Sequence, residues 1–358
     1  MSKAYRQQAV LLSLLCVVVG SLAAYGRGLD GTLDLIRLPS STVPVIVKAG
    51  EHFDLTIASS ASVAAMRVAL YQGPDQKVVF THAATEPPMQ PKEGLLTVQI
   101  TVPPDTAPGV YGLSARVNPG RRNDTSERAV KVVGDWPASY RFAHVTDVHI
   151  GRADPPLRDE VFRRTAAEIN RLGVDFVLLT GDLTDNGTPE QFRRFVEILD
   201  NFDAPTFAVP GNHDRGGGAA PGGDDIYGRY CGPGNFAFDF GTHRYLGLDT
   251  SWQEEFLIPP GQRAWLEAQL ERPQPSFGAV FSHRISASEY PYFQEQLPAR
   301  NYRLFLYGHT HNDGIKWIGP KRLILLNTSQ ELNGTYDVMK IEADAVVVID
   351  HVHRASND

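Results

Sequence analysis

Several short stretches of this 358-residue sequence carry side chains able to hold a cation. Asp147-Val-His149 sets a carboxylate and an imidazole two residues apart, and on extended backbone that spacing sends both to one side. His309-Thr-His311 repeats the device with two imidazoles. Between them lie Gly181-Asp182, the run Pro210-Gly-Asn212-His213-Asp214, and His283. Carboxylate, imidazole and amide-oxygen ligands suit manganese, iron or zinc, whereas copper(I) and iron–sulfur clusters prefer thiolates. The set is large enough for two metal sites that share Asp182.

These residues need strands and turns to position them. Phe176–Thr180 is an apolar strand-like run that stops at Gly181, so Asp182 emerges at a strand's carboxyl end, where open α/β sheets place their chemistry. Around it, strand and helix signals alternate: a strand over Tyr140–Thr146, a helix over Leu157–Leu172 with Val161, Thr165, Ile169 and Leu172 at helical spacing, a helix over Pro189–Asn201, and a strand over Thr206–Val209. Thr188 before Pro189 reads as an N-cap with proline at the first helical position. Further strands follow over Phe236–Phe240, His243–Asp249, Ala279–Ser282 and Leu304–Tyr307, a helix over Gln262–Leu270, and a β-rich run from 315 to 350. Such alternation predicts a layered α/β domain. The glycine-rich excursion Arg215 to Gly234 predicts a long loop over the cleft, with Cys231 as an incidental thiol within it. His144, His243, His351 and His353 receive no ligand role.

Residues 30–134 read differently. Alternation such as Phe53, Leu55, Ile57 and Leu96, Val98, Ile100, Val102, broken by Pro103-Pro104, Pro108-Gly109 and Asn118-Pro-Gly120, predicts a small all-β sandwich, and the stretch Ala107-Pro-Gly-Val-Tyr-Gly-Leu113 resembles the late hairpin of bacterial immunoglobulin-like modules. Residues 135–139 read as a linker. Upstream, Lys3 and Arg6 precede the apolar run Val10 to Val19 and then small residues, the layout of a signal peptide over residues 1–26 or, uncleaved, of an N-terminal anchor. This predicts export, with possible membrane or envelope association through that segment.

The formal charge is −7, and loss of residues 1–26, which hold two basic and no acidic side chains, moves it to −9. So acidic a chain lacks the field that gathers polyanions, which argues against nucleic acid as the main partner. Oligomeric state is not legible.

The order Asp-x-His, Gly-Asp, Gly-Asn-His-Asp, His, Gly-His-x-His resembles the calcineurin-like metallophosphoesterase superfamily over about residues 140–350. Tyr230-Cys-Gly-Pro-Gly-Asn-Phe-Ala-Phe-Asp-Phe-Gly241 and Leu248-Asp-Thr250 match the family's middle section. The resemblance implies a four-layer domain over 140–354, two β-sheets flanked by helices. It implies one metal held by Asp147, His149, Asp182 and His311, and a second held by Asp182, Asn212, His283 and His309. It assigns His213 to the leaving-group oxygen, with Asp214 orienting its ring. The family commonly places proline two residues after the His283 equivalent; here the run is Ser-His283-Arg-Ile, and Arg284 reads as a surface arginine in preference to the alternative, a contact to substrate phosphate. Asp185 stands where purple acid phosphatases carry an iron-bound tyrosine. Two divalent cations against two carboxylates stay net positive and attract a phosphate ester without a basic surface. The implied activity is hydrolysis of a phosphate mono- or diester, on a small molecule or head group, by water activated between the metals, with the diester favoured. The alternative is an envelope- or partner-binding sandwich whose phosphoesterase domain is inactive.

Overall fold

The computed structural model describes residues 31–352 apart from 73–75, 83–87, 119–121, 154–156, 217–224, 253–257 and 329–333. The signal or anchor segment, the middle of the glycine-rich excursion and His353 therefore lie outside the described residues. Among the described residues no helix is long and apolar enough to cross a membrane.

The first eight strands are β1 (Ile36–Leu38), β2 (Val45–Lys48), β3 (His52–Ala58), β4 (Met66–Gln72), β5 (Gln76–His82), β6 (Leu95–Thr101), β7 (Gly109–Val117) and β8 (Arg122–Val133). They form a three-stranded sheet, β1-β3-β6, and a five-stranded sheet, β2-β8-β7-β4-β5. Period-two alternation explains the arrangement: Phe53, Leu55 and Ile57 from one sheet and Val68, Leu70, Leu113 and Val130 from the other meet in one core.

After this region come β9 (Ser139–Val145), α1 (Arg158–Leu172), β10 (Phe176–Thr180), α2 (Pro189–Leu199), β11 (Thr206–Val209), α3 (Ile226–Cys231), β12 (Phe236–Phe240), β13 (His243–Leu248), α4 (Pro260–Leu270), β14 (Phe277–Ser282), α5 (Tyr290–Gln296), β15 (Tyr302–Tyr307), β16 (Gly314–Ile318), β17 (Leu323–Asn327), β18 (Tyr336–Glu342) and β19 (Ala345–Val352). One sheet runs β11-β10-β9-β18-β19 and the other β12-β13-β14-β15-β17-β16. Strands β9, β10 and β11 are parallel, as are β13, β14, β15 and β17, so the carboxyl ends of each set open at one edge.

Both faces of the central strands are buried, and alternation sorts them. Phe142, Phe176, Leu178, Phe281, Leu304 and Leu306 fill the space between the sheets. Ala143, Val145, Val177 and Leu179 instead meet Phe162 and Ile169 of α1 and Phe192 and Phe195 of α2. On the far side, Val280 and Phe305 pack on Leu266 and Leu270 of α4 and Phe293 of α5. The order is thus helices, sheet, sheet, helices. Helix α2 starts as its sequence dictates: the Thr188 hydroxyl accepts the Gln191 amide at 3.3 Å, and Pro189 takes the first turn.

The two β-only sheets pack against this body. Arg128 donates to the carbonyls of Leu199 and Ala204, Lys131 Nζ reaches the Asp175 carbonyl at 2.8 Å, and the edge strand β11 is covered where Ala208 N donates to Thr42 O at 2.9 Å. Within residues 135–139 Trp136 packs edge-on against Phe240. The expectation for Cys231 fails. It ends the short helix α3 with its side chain fully buried beneath Phe192 and Tyr227, so it is not a loop thiol.

Candidate metal centre

Every sequence-selected site residue lies just beyond the carboxyl end of a strand: Asp147 and His149 after β9, Asp182 after β10, Asn212, His213 and Asp214 after β11, His283 after β14, and His309 and His311 after β15. The loops remain paired after the strands end. Asp147 N donates to Gly181 O at 3.0 Å and His149 N to Asp182 O at 2.8 Å, while Gly308 N donates to His283 O at 3.0 Å.

The expectation of extended backbone at Asp147 and His149 is overturned. Asp147 (φ 56), His149 (φ 51), Asp182 (φ 49), His309 (φ 68) and His311 (φ 57) all occupy the left-handed region. Asp and His tolerate it better than most residues, yet each still carries a cost of about 1–2 kcal/mol. The turns fold five ligand-type side chains inward, an aim that straight strands could not give.

Close approach of the loops rests on glycine. A Cβ on Gly308 would lie 1.9 Å from Thr146 Oγ1 and 2.5 Å from Asp147 Oδ2. One on Gly211 would lie 2.1 Å from Asp182 N and 2.2 Å from Asp182 Oδ1. We predict that Gly211→Ala displaces Asp182, costing about 1–3 kcal/mol of stability and most of the bound metal. Melting curves and metal analysis of the variant check this, and wild-type values in both would contradict it.

The convergence is close. Ligand atoms of Asp147, His149 and His311 lie within 4.8 Å of one another, as do those of Asp182, His283 and His309, and those of His149, Asp182 and His213. Asp182 joins the halves: its Oδ2 is 3.8 Å from His149 Nε2 and 3.2 Å from His283 Nε2. Its other oxygen accepts the His213 amide at 2.9 Å, which fixes the carboxylate. Asn212 Oδ1 and His309 Nδ1 each stand 3.2 Å from His283 Nε2. Asp147 Oδ1 faces His311 Nε2 at 3.1 Å, while its Oδ2 accepts Thr146 Oγ1 and the His309 amide.

These donor atoms fit cations. His149 is buried, yet neither of its ring nitrogens has a hydrogen-bond partner, an arrangement that is costly unless something else binds them. His283 donates Nδ1–H to the Thr180 carbonyl at 2.8 Å, which turns Nε2 inward as a lone-pair donor. Burial alone would raise the Asp182 carboxyl, but His283, the His213 amide and His149 together hold it well below the usual carboxylate range. Burial likewise works against charge on His283, and Asp182 and Asp147 override it, pushing the imidazole up to about 9. A cluster that draws a proton this strongly draws a metal ion in competition with it.

The catalytic pair expected from the sequence divides. The His213 ring is exposed, and its Nδ1 donates to the Asp185 carbonyl at 2.6 Å, leaving Nε2 toward the centre. Asp214 does not orient that ring. It lies fully buried beneath the loop, its carboxylate accepting the amides of Gly211 (2.8 Å), Leu183 (3.1 Å) and Thr184 (2.8 Å) and the Thr184 hydroxyl. Its backbone turn directs it to those donors, so it shapes the loop rather than the imidazole.

Some supporting residues were not read from the sequence. Asp185 has its carboxylate 3.3 Å from His149 Nδ1. His144 is buried between Thr180 Oγ1 and Thr328 Oγ1, each at 2.7 Å, and Thr328 bonds Asp337, whose other oxygen is 2.5 Å from His351 Nδ1. His351 itself is exposed, and its partner comes from the adjacent antiparallel strand, a pairing that sequence order does not reveal.

Comparison with known proteins agrees with this geometry. The calcineurin-like phosphoesterase family model matches residues 140–313. A probable cyclic nucleotide phosphodiesterase of Synechococcus sp. is 27% identical, over 49% of this chain and 75% of its own length. A probable glycerophosphodiester phosphodiesterase of Arcobacter nitrofigilis is 50% identical over 41 residues, 12% of this chain and 15% of that protein, so that match spans far less than two thirds of the relative. The purple acid phosphatase PPD1 from yellow lupin seeds shares the fold at TM-score 0.51 and 13% identity, over 87% of this chain and 74% of that one. Residues 140–313 of this chain thus match the model of the calcineurin-like phosphoesterase family, a metal-dependent family of hydrolases.

Proposed function

We propose that this chain is an exported hydrolase that cleaves phosphate esters at a dinuclear metal centre, preferring diesters to monoesters. The observation that carries this reading is Asp182 Oδ2, lying between the inward nitrogens of His149 and His283. Asp147, His149, Asp182 and His311 would hold one ion and Asp182, Asn212, His283 and His309 the other, with manganese, iron or zinc the suitable elements. Bound there, the ions would supply positive charge for the phosphoryl oxygens and a lowered pKa for attacking water.

The chain's own residues do the rest. Asp182 and Asp147, each tied to backbone amides, keep the ligand geometry fixed before substrate arrives. As the bond from water oxygen to phosphorus forms, the ester P–O bond breaks, and the departing alkoxide takes a proton from His213 Nε2. The Asp185 carbonyl holds the opposite side of that ring. The formal net charge of −7 favours a small phosphate ester or head group over nucleic acid.

The diester preference is supported by the phosphodiesterase names of the Synechococcus and Arcobacter relatives. In the same reading, residues 30–134 are an immunoglobulin-like sandwich domain, 140–354 the phosphoesterase domain, and 1–26 the export segment. The test compares bis(p-nitrophenyl) phosphate with p-nitrophenyl phosphate in the presence of manganese. We expect the higher kcat/KM on the diester. A higher value on the monoester overturns the preference, and no turnover of either, alongside binding of envelope material by the sandwich, favours the binding-module alternative.

A further inference from the structure

Beside the His309 face of the centre lies an open pocket of about 270 Å³, lined by Arg284, Ile285, Ser286, Tyr307, Gly308, His309 and Thr310. Arg284, the residue that stands out of pattern after His283, forms part of its wall. The side chain is not a surface arginine. It is partly buried, its Nε donates to the Thr250 carbonyl at 2.9 Å, and its Nη2 donates to the Trp252 carbonyl. Its amide donates to Thr250 Oγ1 at 2.8 Å, so backbone and guanidinium are held by the same segment.

That segment is itself braced. Arg215, with 4% of its side chain exposed, pairs with Asp249 and with Asp225 at 2.5 Å, donates to Ser251 Oγ at 2.7 Å and lies 4.1 Å over the Trp252 ring. Asp249 in turn accepts the Ser251 amide at 3.0 Å. The clamp on Arg284 is therefore preorganised before ligand arrives. Among the described residues both guanidinium hydrogen-bond partners of Arg284 are neutral carbonyls, Asp182 and Asp249 act on it only through space, and Nη1 has no hydrogen-bond partner. A fixed guanidinium with no directly paired carboxylate and a vacant donor edge, in the wall of a polar pocket, is suited to an oxyanion.

We propose that Arg284 is a substrate-binding residue whose guanidinium engages a phosphoryl oxygen in the pocket beside His309 and sets affinity more than turnover. This rests on the phosphoesterase reading above and adds to it a residue that the ligand pattern does not contain. The probe is inorganic phosphate, which carries the same oxyanion as substrate and product. In the manganese-loaded full chain, Arg284→Gln is expected to weaken phosphate inhibition and raise KM by about tenfold, the loss of one charge-assisted hydrogen bond. Metal content and kcat stay within about twofold, and Arg284→Lys restores part of the phosphate affinity.

A second measurement does not depend on a variant folding: phenylglyoxal labelling of the wild-type protein read by mass spectrometry, in which phosphate should suppress the adduct at Arg284. Equal labelling with and without phosphate, or an unchanged inhibition constant in Arg284→Gln, overturns the proposal while leaving an active phosphoesterase in place. A wild-type protein that loads manganese yet hydrolyses neither ester and gains no protection from phosphate overturns the phosphoesterase reading and this proposal with it.

Discussion

Asp182→Ala is expected to remove hydrolysis altogether and to lower bound metal on both sides of the centre. The reason is that one oxygen serves two clusters: Oδ2 faces His149 on one side and His283 on the other, so this substitution removes a ligand from both at once. Loss of residues that merely orient ligands costs about 10–100-fold in metal affinity or activity, and loss of the shared ligand should exceed that range. The substitution also leaves buried His283 without the strongest of the charges that favour its protonated form. Asp182→Asn separates the effects, because its amide oxygen can still accept the His213 amide that Oδ1 now accepts at 2.9 Å while the negative charge is gone. If Asp182→Asn folds with a wild-type melting temperature but fails to load metal, charge at this position is the cause. Either variant retaining wild-type kcat/KM would remove Asp182 from the account.

Asp214→Ala should give the largest loss of stability of any substitution near the site. A single buried carboxylate accepts three backbone amides and one hydroxyl, from Gly211, Leu183 and Thr184. Alanine strands all of these donors, and each unsatisfied buried group costs about 1–3 kcal/mol. Even with partial repair by water the sum is a large share of the roughly 5–15 kcal/mol that holds a protein of ordinary stability together. Asp214→Asn keeps the volume but turns an amide donor toward an array of donors, so it should recover little. Denaturant unfolding of both variants measures this. Stability within 1 kcal/mol of wild type, in the usual range of surface substitutions at about ±0.5 kcal/mol, would show that the loop does not depend on Asp214.

The two carboxylates illustrate what the sequence could and could not convey. Motif order brought Asp182 and Asp214 forward together, because both follow apolar strands and both neighbour glycine or histidine. Their roles diverge through backbone direction: Asp182, at φ 49, points into the cleft, whereas Asp214, in a short helical turn, points back under it. Spacing alone carries no such information. The strands Phe176–Thr180, Thr206–Val209 and Phe236–Phe240 have the limits read from the sequence, since each is a short apolar run closed by a turn signal. Helix α3 was missed because six residues containing Gly228 show no helical period, and Tyr290–Gln296 is short enough to be lost in the same way. The left-handed backbone at Asp147, His149, His309 and His311 lies in loops that stay hydrogen-bonded to neighbouring loops, as Asp147 N to Gly181 O and His149 N to Asp182 O, and spacing alone does not disclose it. For Arg284 the sequence offered a phosphate contact only as the lesser alternative to a surface arginine; the carbonyls that hold it belong to residues more than thirty positions earlier.

Metal stoichiometry is the most direct test of the central claim that two cations share Asp182. Purified full-length protein should be stripped with chelator and titrated with manganese under equilibrium dialysis, beside Asp182→Asn and the pair Asp147→Asn and His309→Ala. The account predicts two ions per wild-type chain, about one in each of the flanking variants, and loss of both strong sites in Asp182→Asn. Two tightly bound ions in Asp182→Asn, or none in a well-folded wild-type protein, would contradict it.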